Sequence, residues 1–417
     1  MTRLCPIKLL LLSIITFFIL ASHSQAAVWE TKNQWNDVWE KHYQNWVKFY
    51  WTADKFMDSR QPNYYLIPHD CADAVYLMRL IFAYENKLPF VIKNPNKRST
   101  LISNSMNKWD KTKDPTKRLR QFIRYLNGVV GTKSIPYDTY PIALSELKPG
   151  DIYVAPGTHS YQITDITETG VPVIMSSTTP LGPKFLAKLT SFPFFVPEHK
   201  KQLDGYRRFI QPQNIKKPID KQPKYSNEQF VIAAEKQYNF IYFTDVMAKK
   251  LGKRPETREE KSERLINALC SFAKERTNYV SSAIFYMENI RNNTKRSCMD
   301  ANEYDYYSTP SRDKRLKRFF EEVRNIAFTK GAKTDPSVWS ALRVAQAIYQ
   351  PQPNARNLSD LEYFCQIPLI EDSRETISLR QLWLNLARGL VSSDPNAPLD
   401  ARWGNAKTVY KSSCPSY

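Results

Sequence analysis

"PHDCADAVYLMRLIFAYENKLPF", residues 68–90, sets one cysteine between a His-Asp pair and a long apolar run. Cys71 has three possible identities there: a buried packing residue, half of a disulfide, or a nucleophile. The stretch reads as a helix from about Cys71 to Asn86. Asp70 suits the N-cap, and Asp73 falls at the third helical position, the spacing of a capping box. Ala74, Val75, Leu77, Met78, Ile81 and Phe82 make the helix apolar on most sides, as expected of the central buried helix of a domain. Cys71 then occupies the first turn. Its sulfur would lie near unpaired backbone N–H groups and the positive end of the helix dipole, which favour thiolate over thiol. A small inert core cysteine is the competing reading.

Cysteine parity narrows the choice. Residues 1–26 read as a signal peptide. Arg3 and Lys8 flank "LLLLSIITFFILA", and Ser24 and Ala26 precede a cleavage point at Ala27. The mature chain is then expected to be exported, periplasmic or secreted, where disulfides form. Cys5 leaves with the signal, and an odd number of cysteines remains: Cys71, Cys270, Cys298, Cys365 and Cys414. Sequence proximity suggests Cys270 with Cys298 and Cys365 with Cys414. Cys71, alone in the N-terminal half, is left as the free thiol.

The formal net charge is +19. For an exported chain this favours anionic partners such as peptidoglycan or another envelope polymer, acidic peptides or lipid headgroups, and not nucleic acid. A lysine-rich surface that only confers solubility is the alternative. With 11 glycines and no glycine-rich phosphate loop, nucleotide binding is not expected. No Cys/His cluster has metal-ligand spacing, so neither metal nor organic cofactor is implied. No segment after the signal is apolar enough to span a bilayer.

Residues 28–58 read as an amphipathic helix with Trp35, Val38, Trp39, His42, Trp46 and Phe49 on one face. Another helix is expected over Pro115–Leu126, and residues 93–114 read as inserted surface. The periodicity then changes. "LKPGDIYVA" (147–155) is a turn into a strand, "HSYQITDI" (159–166) alternates, and "TETG" turns into "VPVIMSS" (171–177), its hairpin partner. "DGYRRFIQP" (204–212) is one more strand. A polar, proline-punctuated stretch at 213–224 reads as a linker, and 225–417 as a helical, disulfide-stapled domain. The α+β domain occupies 27–212.

A nucleophilic cysteine needs a base. His42 lies on the aromatic face, His69 stands two residues before Cys71 on an extended approach, and His199 sits in a charged loop. His159 opens a strand, and a strand facing a helix start can hold its imidazole near a sulfur.

"HDCADAVYLMRL" followed by "LKPGDIYVAPGTHSYQITDITETG" resembles the NlpC-like and CHAP-like cysteine peptidases and amidases of bacterial envelopes. The resemblance implies a papain-like α+β fold at about 60–212, with Cys71 as nucleophile and His159 as general base. It also implies hydrolysis of an amide bond, commonly in peptidoglycan stem peptides. A third group orienting the imidazole would fall at Ser176 or Ser177, or at Asp165 if the register brings it alongside. "CADAVYLMRLIFAYENKLPF" is similar as well to the transglutaminase-like core, which implies the same Cys–His chemistry. The rival functions are an inactive envelope-binding protein on a hydrolase fold and a secreted effector acyl transferase acting on a host amide or lipid. In the C-terminal half, "EYDYYSTPSRDKRLKRFF" (303–320) joins a tyrosine cluster to a basic helix start. It suits an acidic or carbohydrate ligand, or simply forms a solvated face.

Overall fold

The computed structural model describes residues 27–198, 200–294, 296–328 and 340–417. The expected signal peptide and His199 lie outside the described residues.

The first helix, α1, runs from Asp37 to Tyr50 and is shorter than its aromatic content suggests. Asn36 caps it by accepting from the Trp39 N–H, and Trp51 turns extended at its end. The buried side is set by Tyr43 and Val47. Val38 and Phe49, expected on the packed face, are exposed. The aromatic repeat misled here because Trp35 and Trp51 pack from outside the helix. The Trp51 ring N–H instead reaches Gln162 at 2.8 Å.

Helix α2, Cys71–Glu85, is buried continuously from Cys71 to Ala83. Asp70 accepts from the N–H groups of Ala72 and Asp73, and the Asp73 carboxylate accepts from the Asp70 N–H at 3.0 Å. The capping box is therefore complete. Arg79 is the one basic residue along this buried span. It pairs with Glu40 at 2.8 Å and lies 3.4 Å from the Trp35 ring centroid. A short hairpin, β1 (Val91–Lys93) with β2 (Leu101–Ser103), occupies the segment expected as inserted surface. Helix α3 (Pro115–Asn127) follows, started by Asp114 and Pro115, and then a single turn, α4 (Ile135–Asp138).

The main sheet has six antiparallel strands: β3 (Thr139–Pro141), β4 (Ile152–Ala155), β5 (His159–Ile166), β6 (Pro172–Ser176), β7 (Ala187–Thr190) and β8 (Gly205–Phe209), in the order β3-β8-β4-β5-β6-β7. Both faces are covered. Ile152, Val154, Met175 and Phe209 face α2 and its neighbours. Tyr153, Tyr161, Ile163, Ile174 and Tyr206 share a core with residues after 225. This double burial explains why "GYRRF" is buried throughout. Arg208 forks onto Asp151 at 2.7 and 2.8 Å, and Arg207 donates to the Thr139 hydroxyl and to surrounding carbonyls.

The segment expected as a linker is a fixed strap. Ile215 is buried, and the Gln222 amide donates to the carbonyls of Asn214 and Lys217, each at 3.1 Å. Beyond it come α5 (Glu228–Glu235), α6 (Phe240–Leu251), the long α7 (Arg258–Thr294), α8 (Ala301–Tyr307), α9 (Pro310–Ala327), α10 (Ser340–Tyr349), α11 (Ala355–Phe364), α12 (Leu379–Ala387) and α13 (Leu399–Trp403). This half is not all-α: β9 (Gln366–Pro368) and β10 (Thr376–Ser378) form a small hairpin ahead of α12. Phe194, from the sheet side, stacks on Phe272 of α7 and meets the tilted ring of Phe319 of α9. The chain is thus mixed α+β, with small antiparallel sheets and one core running across the strap.

The disulfides differ from the expected pairing. They join Cys270 to Cys365 and Cys298 to Cys414. The reason is geometric. Cys270 lies within α7, and the helix from there to Thr294 spans roughly 36 Å at about 1.5 Å per residue, whereas a disulfide needs Cα atoms within about 7 Å. Sequence proximity inside one long helix therefore means distance in space. Cys71 is the free cysteine among the described residues. Among the described residues no helix is long and apolar enough to cross a membrane, and two disulfides are compatible with an exported protein.

Candidate active site

Cys71 is the first residue of α2, and α2 packs across β5. The join is direct: the Ser160 hydroxyl donates to the Cys71 carbonyl at 2.9 Å. The Asp70 side chain takes the N–H groups of Ala72 and Asp73. His159 opens β5 opposite Ala155 of β4. The pleat turns alternate β5 side chains to opposite faces. Ser160 and Gln162 face α2, while His159 and Tyr161 face the C-terminal helices, ring edge to ring face at 4.6 Å.

Burial sets the charge states. It pushes the Cys71 thiol up to about 12, helped by the Asp70 carboxylate. The hydroxyl and N–H of Ser160 and the charge of Arg312 oppose the rise. Burial likewise holds the His159 imidazole well below its usual range, and the Arg315 and Arg312 guanidiniums act in the same direction. At rest Cys71 is therefore a neutral thiol and His159 a neutral imidazole, and Cys71 is not the thiolate that the helix dipole alone would favour. Desolvation outweighs the dipole because Cys71 is only 8% exposed. No hydrogen bond joins the Cys71 sulfur to the His159 ring.

The proposed third residues separate. Ser177 turns toward α2 and bonds the Nδ1 atom of His69 at 2.8 Å, not His159. His69 is fully buried against Phe56, and its Nε2 has no partner. Ser176 lies on the same face as His159, because the β5–β6 register brings it opposite Tyr161, but no hydrogen bond links the two. Asp165 sits at the far end of β5, past a register shift, and pairs with Lys48 at 2.8 Å. Asp70 and Asp73 form the expected cap, and burial pushes Asp73 up to about 8.

Several charged and polar groups near Cys71 or His159 come from other parts of the chain. Lys184 donates to the carbonyls of Thr178 and Pro180, and its ammonium is lowered to about 8 by burial and Arg312. Tyr306 of α8 accepts from the Leu181 N–H. Arg312 of α9 donates to the Thr179 hydroxyl. Tyr279 and Glu275 of α7 act on Tyr161. The basic stretch at 303–320 therefore meets the site on one side instead of being wholly solvated. Its proline-initiated helix with arginines one turn apart was the available signal.

Among the described residues no group of His, Cys, Asp and Glu could hold a metal ion. Comparison of the chain with protein-family models, with curated proteins and with solved structures finds no match in any of the three.

Proposed function

We propose that the protein is a cysteine hydrolase that cleaves an amide bond, with Cys71 as nucleophile and His159 as general base on a papain-like arrangement of helix and sheet. The observation that carries this reading is the free thiol at the head of the buried α2, tied through Ser160 to the strand that His159 opens. Because both groups rest neutral, the proton moves as the bond forms. His159 takes the thiol proton while the sulfur attacks the amide carbonyl. The Cys71 N–H, which the Asp70 cap does not use, would then donate to the resulting oxyanion. The C–N bond breaks as His159 returns the proton to the leaving amine. Water, deprotonated by His159, then hydrolyses the thioester. Basic charge and export favour an anionic envelope substrate, with peptidoglycan stem peptides first in line.

A second reading, an inactive envelope-binding protein on the same fold, draws on the absence of a hydrogen bond between thiol and imidazole and on the partnering of Ser177 with His69.

The deciding experiment incubates the full mature protein with purified peptidoglycan fragments and measures new amino groups. Wild type is expected to release them, Cys71→Ala to be inactive, and His159→Ala to fall by about 10²–10⁴-fold. Release that survives Cys71→Ala, or binding without release in wild type, would sink the hydrolase reading.

A further inference from the structure

Helix α9 brings two arginines to the head of β5. Arg312 donates through Nη2 to Thr179, in the loop that leaves β6, and its guanidinium lies 4.5 Å from the Tyr279 ring centroid. Arg315, one turn on, lies 5.3 Å from the Phe195 ring. Both charges bear on His159, and that of Arg312 also bears on Cys71. Neither guanidinium pairs with a carboxylate among the described residues. Two of their buried N–H groups, Nη1 of Arg312 and Nε of Arg315, have no acceptor.

Local groups do not meet this demand. Glu275 is the carboxyl that faces both arginines, but burial pushes it up to about 7 and no ion pair forms. Lys184 adds positive charge nearby and is committed to two carbonyls. Buried charged donors without acceptors are costly. An anion arriving beside the thiol would supply both acceptors and the missing countercharge, and the planar guanidinium fork matches a carboxylate.

We propose that Arg312 and Arg315 form an anion-recognition subsite of the Cys71 site, selecting acyl substrates that carry a free carboxylate near the bond attacked. The proposal rests on the reading of Cys71 as a nucleophile. It gives the C-terminal half a function within the same site: α2 and β5 supply the reacting groups, and α9 supplies the selectivity.

The test uses two alkylating reagents of equal chemistry and different charge, iodoacetate and iodoacetamide, on the full mature protein with its disulfides intact. The same thiolate displaces iodide from both, so the thiolate fraction cancels in the ratio of their rates. Relative to N-acetylcysteine, Cys71 is expected to favour iodoacetate by roughly tenfold, the size of one charge-assisted hydrogen bond. The preference should disappear in Arg312→Gln/Arg315→Gln and shrink in high salt. Arg312→Lys/Arg315→Lys, which keeps the charge without the fork, should retain part of it and guards against a misfolded double variant. Fast labelling with the ratio of a free thiol overturns the subsite and leaves the nucleophile reading standing. If Cys71 resists both reagents, the nucleophile reading loses its ground, and the subsite is judged by melting temperature. N-acetylglutamate, and not N-acetylglutamine, should then stabilise wild type but not the Gln double variant. Equal effects of the two compounds overturn it.

Discussion

His69 shows how much a single side chain can report. It stands two residues before Cys71, yet its ring turns inward onto Phe56, and Nδ1 meets Ser177. Burial, with the charge of Lys184 nearby, lowers its imidazole to about 3. The folded state thus binds a proton less readily than the unfolded state, whose histidine titrates near 6.5. Its contribution to stability is present above 6.5 and is lost as pH falls toward 3. The loss over that interval is on the order of 5 kcal/mol at ~1.4 kcal/mol per pKa unit. Thermal melts of wild type between pH 7 and pH 4 should therefore drop steeply, and His69→Asn should give a shallower slope from a lower starting point. An equal slope in both would show that another group governs the acid limb. That His69 points away from the sulfur could be read from its extended approach to the helix. That Ser177 serves His69 could not, because a shift of one residue in strand pairing sends neighbouring serines to opposite faces.

Among the elements, α2 was the most legible, since its cap, its apolar surround and its length are all written locally. Asp70 has two roles there. It caps two N–H groups, and its carboxylate raises the Cys71 thiol. Asp70→Ala should cost about 1 kcal/mol of stability while lowering the thiol pKa, so the melting temperature should fall as alkylation at a fixed pH becomes faster. A variant that loses stability with an unchanged alkylation profile would argue against the electrostatic role. The strands β4, β5, β6 and β8 were legible from alternation and turns. The strands β1, β2, β3 and β7 were not, since three or four residues are too few to establish a period. The pairing of cysteines failed for the opposite reason: the long helical pattern around Cys270 was visible, but its rigid length was not carried over to the cysteines it separates.

For the whole molecule, the decisive fact is that the sheet has no solvent face. Tyr161, Phe194 and Tyr206 pack into the same core as Phe272 and Phe319. Sequence shows apolar positions on both sides of the strap but not that they meet, which is why two domains were expected. A chain ending at residue 212 should then expose that face, bind hydrophobic dye and lack a cooperative melt, whereas the chain from residue 27 to 417 should melt in one transition. A soluble, cooperatively folding 27–212 fragment would support two separable domains. The same cover bears on how the correct crosslinks are kept. A bare sulfhydryl attacks disulfides, and an accessible Cys71 would scramble the Cys270–Cys365 and Cys298–Cys414 bonds. Docking of α2 against β5 buries that sulfur, so the finished fold withholds its one unbridged thiol among the described residues from exchange with the two crosslinks.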